Sequence, residues 1–136
     1  MIKLQVVPTI LMVFALPALA QRPGRMPHYD PATEVRVKGT VTEVQQVGRS
    51  GRWMGMHLIL KTDSETFDVH LGPAAFLAQN QMSFSKGDAV EVLGSKVGTN
   101  GGAALVAREV QKDGKTLTLR DANGIPRWSR GRRGQT

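Results

Sequence analysis

The side chains best suited to coordination or proton chemistry in this chain fall in one short span: His57 in "MHLIL", and Asp68 and His70 in "TFDVHLGP". Both stretches alternate apolar and polar residues, so each reads as a strand with one face inward. Leu58 and Leu60 require burial on the first, and Phe67, Val69 and Leu71 on the second. Setting Leu58 opposite Val69 and Leu60 opposite Phe67 satisfies both sets and closes the turn at Asp63-Ser64. His57 then lies directly opposite His70 on the outer face, Ile59 opposite Asp68, and Lys61 opposite Thr66. Opposed residues have Cβ atoms about 4.5–5.5 Å apart, close enough for two imidazoles to share an ion or a proton. A slip of one residue would bury the histidines and expose the leucines, so the register is well specified.

Two neutral imidazoles are good ligands for copper, zinc or nickel. Met54 and Met56 are near in sequence and soft enough for Cu(I), but the alternation turns Met56 into the core. Asp68 stands one step along the same face. Two ligands and a more distant carboxylate fall short of the three or four donors of a stable site. On spacing alone, His57 and His70 are therefore first ordinary residues of a strand face, with a transition-metal ion as the alternative. No cofactor is expected beyond that ion.

Other reactive groupings are missing. The chain contains no cysteine, which excludes thiolate metal sites, CxxCH haem attachment and a cysteine nucleophile. Its serines have no nucleophile-elbow context, and its carboxylates are spread through turns and strand edges without a paired acid and base. The reading is a non-catalytic protein with no catalytic residue to assign. The glycine-rich loop Gly48–Gly55, GRSGRWMG, carries Arg49, Arg52 and Trp53. Together with Lys61 and Asp68 these residues form the candidate surface for a ligand or partner.

The elements that would position these side chains follow from the pattern. Glu34–Val47 alternates with β-branched residues and is interrupted by Gly39, the mark of a bulge or sharp coil in a strand that serves two sheets. Strands follow at 56–61 and 66–71, then a short helix at 73–81 with Pro73 in its first turn. Further strands are expected at 89–97, 104–111 and 116–120. One helix between the third and fourth strands gives β-β-β-α-β-β with a terminal β extension. That is a mainly β fold, a small barrel like the oligonucleotide/oligosaccharide-binding (OB) fold.

The ends are of a different kind. Residues 1–20 combine Lys3, the apolar run Leu4–Leu16 and the ending Ala18-Leu19-Ala20, the three parts of an export signal. The apolar run is shorter than the ~20 residues that span a bilayer. Residues 21–33 then read as a flexible leader, 34–121 as the barrel domain and 122–136 as a basic tail, in a periplasmic or secreted protein with no transmembrane segment once the signal is removed. The formal charge of +7 belongs to the ends. Between His28 and Pro126 basic and acidic residues balance, while Arg127, Arg130, Arg132 and Arg133 crowd the tail. Such a tail makes at most a weak contact with an anionic polymer. Nucleic acid is not the expected partner: the outer face of strands two and three carries no Phe, Tyr or Trp to stack bases, and Trp53 is the one plausible platform. Another periplasmic protein or a small ligand fits better.

The stretches GTVTEV, VHLGPAAFL, FSKGDAVEVLGSKV, LVAREV and LTLRDANGIPRWS resemble a group of small exported bacterial proteins. These share a domain with the C-terminal region of the magnetosome proteins MamS and MamX. The resemblance runs from Val35 to Ser129, and its most specific parts are the HLGP passage, "GD.VEV.GS" and "LRD..G.P.W". It implies a bacterial OB-type barrel and an accessory or binding role. The haem chemistry of MamX rests on CxxCH motifs that this sequence lacks. The functional expectation is a non-catalytic periplasmic binding module, with metal handling through the histidine pair as its alternative and anion binding through Trp53 and the tail as a second.

Overall fold

The computed structural model describes residues 28–48, 54–99 and 102–130. The expected export signal, the leader up to residue 27, Arg49, Arg52, Trp53 and the last six residues of the tail lie outside them.

The alternation in the sequence becomes six strands: β1 Glu34–Val47, β2 Gly55–Lys61, β3 Thr66–Pro73, β4 Ala89–Thr99, β5 Gly102–Lys112 and β6 Lys115–Thr118. Helix α1, Ala74–Gln79, lies between β3 and β4, and α2, Arg127–Arg130, follows the last strand. The strands hydrogen-bond in the order β3-β2-β1-β4-β5-β6, and a parallel β3–β5 pairing closes the first five into a barrel. This is the OB-fold-like layout expected from the sequence, with β6 as the extension outside the closed ring.

Two strands make closure possible by changing partner partway along. β1 pairs with β4 over Glu34–Thr40 and with β2 from Thr40 to Val47. Gly39 sits at the changeover because a Cβ there would come within 2.4 Å of the Lys61 carbonyl oxygen. The register irregularity falls just beyond it, between Val41 and Glu43. β5 divides in the same way, giving Ala103–Val106 to β3 and Glu109–Lys112 to β6.

Inward-facing aliphatics fill the ring. Val41, Leu58, Leu60, Val69, Leu71, Val92, Leu105 and Val110 are all fully buried, and Leu77 and Met82 close one end from α1 and the turn after it. Burying each such side chain contributes roughly 1.5–3 kcal/mol of transfer free energy. Met56 packs against this core, as its place in the alternation requires. Among the described residues no helix is long and apolar enough to cross a membrane.

β5 departs from simple alternation. Its run Ala104–Ala107 is buried on both faces. The outer face is covered by the chain ends. A 3-10 turn, Pro31–Thr33, is tied to β4 by the Asp30 backbone N–H donating to Ser95 Oγ at 3.0 Å and by a Thr33–Ser95 hydroxyl contact at 2.8 Å. The Tyr29 hydroxyl donates to Glu34 Oε2 at 2.6 Å, and Arg108 Nη1 donates to Glu34 Oε1 at 2.8 Å. From the other end Trp128 folds back as a plug, its ring 5.5 Å from that of Phe76 and close over Gly72.

Candidate metal centre

The β2–β3 hairpin has the register that its leucines demand: Leu58 pairs with Val69, Leu60 with Phe67, Ile59 with Asp68, Lys61 with Thr66, and His57 with His70. Thr62 closes the turn by accepting from the Glu65 backbone N–H at 3.1 Å and donating to the Glu65 carbonyl at 2.7 Å. A tight turn and a buried inner face together leave the histidines no alternative but to face each other outside the barrel. Their ring centroids are 3.9 Å apart, tilted by 45°.

The hairpin adds what spacing alone did not show. Asp68 does not stand apart from the pair but reaches across it. Its Oδ1 accepts from His57 Nδ1 at 3.0 Å, and its Oδ2 lies 3.5 Å from His70 Nε2. The sequence places Asp68 on the contact surface and, beside the histidines, as a carboxylate too distant to count as a third ligand; in the structure it spans both imidazoles. The parity of 68 and 70 puts both on one face of β3, but the span across both rings depends on side-chain torsions that parity does not determine. Of the other members of that surface, Arg49, Arg52 and Trp53 lie outside the described residues. Lys61 is exposed at the far end of β2, two pairs beyond Ile59 and Asp68.

The pair is also more sheltered than an outer strand face suggests. The side chains of His57 and His70 are only 14% and 16% exposed, whereas Asp68 is 41% exposed. Burial pushes the His70 pKa below its usual value, His57 and Arg120 push the same way, and the Asp68 carboxylate opposes them. A neutral imidazole with a free ring nitrogen is the form that binds metal.

One donor atom from each of His57, Asp68 and His70 lies within 4.8 Å of the other two. Tetrahedral ligands at about 2.0–2.2 Å from a common ion stand about 3.3–3.6 Å apart, so side-chain movements on the order of an ångström would draw the three donors onto one ion. Two imidazoles and a carboxylate suit zinc, copper, nickel or iron, and three protein donors leave coordination positions open on the solvent side.

The fold and this face define a small closed β-barrel with a two-histidine, one-carboxylate cluster on its outer wall. The chain belongs to the MamS/MamX magnetosome protein family, whose sequence model matches residues 33–117. Magnetosome protein MamS of Paramagnetospirillum magneticum is 28% identical over 116 residues, covering 84% of this chain and 64% of that protein. Magnetosome protein MamS of Magnetospirillum gryphiswaldense is 29% identical over 118 residues, covering 84% of this chain and 63% of that protein. The chain therefore spans a little under two thirds of the length of these relatives.

Proposed function

We propose that this protein is a non-catalytic, exported metal-binding module that holds a divalent transition-metal ion between His57, Asp68 and His70. The observation that carries the reading is the carboxylate of Asp68 in contact with both imidazoles, which raises the donor count from two to three. The export signal read at residues 1–20 supports a periplasmic setting. Membership of a family whose named relatives are magnetosome proteins supports an accessory role beside other proteins, in keeping with a module that carries an ion and does no chemistry on it. The thioether of Met56 is turned toward the core, so the donors favour borderline divalent ions over Cu(I).

Calorimetric titration of the purified protein with Zn(II), Cu(II) and Ni(II) tests the proposal. Binding of one equivalent at sub-micromolar Kd is expected for at least one ion, with a loss of tenfold or more in His70→Ala and in Asp68→Asn. Absence of heat with all three ions, or binding that survives both substitutions, would refute it.

A further inference from the structure

A second site lies under the C-terminal segment, one strand over from the histidine cluster. A cavity of about 480 Å³ opens between the outer face of β5 and the two chain ends. Val106, Arg120, Trp128 and Tyr29 line it, with Asn123 and Ile125 among the residues at its edge. This volume falls within the range of about 300–1,000 Å³ typical of small-molecule pockets.

The unusual wall is Arg120. Its side chain is buried, with 7% of the residue exposed. Nη1 donates to the backbone carbonyls of Leu71 and Ala107, and the guanidinium carbon lies 4.9 Å from the centre of the Trp128 ring. Two carbonyls and an aromatic face orient the group but supply no negative charge. Among the described residues no carboxylate is hydrogen-bonded to it, although buried charges are as a rule paired. Its surroundings show the deficit: burial pushes the Arg120 pKa down to about 10. Arg108, by contrast, has Glu34 at 2.8 Å. Of these two arginines, only Arg108 has a carboxylate at hydrogen-bond distance among the described residues.

The remaining lining narrows the ligand class. Val106, Pro126, Trp128 and the body of Tyr29 give apolar and aromatic walls, and Ile125 leaves 46% of its surface exposed at the rim. A bare inorganic anion would satisfy the guanidinium and leave these walls wet. A carboxylate on an aromatic or short apolar body would satisfy both. We propose that this cavity binds a small organic carboxylate, its charge directed at Arg120 and its body held against Trp128 and Val106.

Titration of the isotopically labelled protein with benzoate, its neutral isostere benzamide and inorganic phosphate, followed by backbone NMR shifts, tests this. Saturable shifts at Val106, Gly124 and Ile125 are expected with benzoate and not with benzamide, and phosphate is expected to bind more weakly. Because Arg120→Met removes a buried anchor and is liable to unfold the protein, the decisive variant is Asn123→Asp, at an exposed rim position. A new negative charge there is expected to weaken benzoate binding about threefold or more at low salt, and Asn123→Lys to strengthen it. Equal binding of benzamide, tighter binding of phosphate than of benzoate, no saturable shift, or indifference of benzoate to both rim charges would each overturn the proposal. Because Val106 pairs with His70 across the β3–β5 seam and Arg120 acts on its charge, every arm uses metal-stripped protein, so the outcome does not depend on metal binding.

Discussion

Two stretches of the barrel's outer wall are built on the same alternation and end in opposite states. On the β2–β3 hairpin the outward positions are His57, Ile59, Asp68 and His70, and the polar groups among them associate with one another. On β5 the outward positions include Ala104 and Val106, both buried, and Val106 lies beside Tyr29 and Trp128 from the two ends of the described chain. Facing outward is a property of the strand. Being covered is a property of chain segments far away in sequence, and it decides which residue types each wall tolerates.

The sharpest way to break this comparison is to put the same kind of charge on both walls. Ala104→Asp is expected to cost about 3 kcal/mol or more, as an unpaired carboxylate buried on the β5 wall beside Asp68. Lys61→Glu, exposed on the hairpin, should stay within about 0.5 kcal/mol. Urea denaturation of both variants checks the pair, and similar losses would mean that the β5 wall is not sealed. Gly124→Ala is expected to follow at about 1–3 kcal/mol. Gly124 has φ of 81°, and a Cβ there would meet the Tyr29 side chain at 2.5 Å. On the hairpin the expected change is a gain: saturating metal at a hundred times its Kd should raise stability by about 2.7 kcal/mol, and His57→Ala should abolish that increment. Thermal melts with and without the ion measure it.

The smallest effect is spectroscopic. Tyr29 is the single tyrosine of the chain, so its phenolate absorbance reports one site. Burial raises its pKa above the ordinary 10.0, and the Glu34 carboxylate that accepts its hydroxyl raises it further. The unfolded chain therefore releases this proton first. The contribution of Tyr29 to stability is complete below pH 10 and is lost as pH climbs past that value. Arg120 acts in the opposite sense: its pKa of about 10 lies below the usual 12.5, so stability gains from it across that interval. A melting curve would mix the two. Absorbance near 295 nm separates them, and a tyrosine that ionises at its ordinary value would mean that the N-terminal cover is not in place.

These particulars show what could be read in advance. The hairpin register, and with it the meeting of His57 and His70, was legible because Leu58, Leu60, Phe67 and Val69 leave one pairing that buries them all. The partner change in β1 was announced by Gly39. The position of α1 and the return of Trp128 were also legible, the first from Pro73 and the apolar run after it. The reach of Asp68 across both rings was not, because it depends on side-chain torsions that strand parity does not determine. Nor was the cover over β5. The unbroken apolar run Ala103–Ala107 hinted at two buried faces, but not that Tyr29 and Trp128 would supply the second.

The parallel seam between β3 and β5 has a consequence for how the molecule meets its neighbours in solution. A ring of strands offers no lateral row of free amides and carbonyls onto which another chain could zip. The outer row of β6, beyond the ring, is four residues long, begins with Lys115 and carries threonines at 116 and 118. Short, charged and hydrophilic, that row is a poor template for strand addition by a neighbouring molecule.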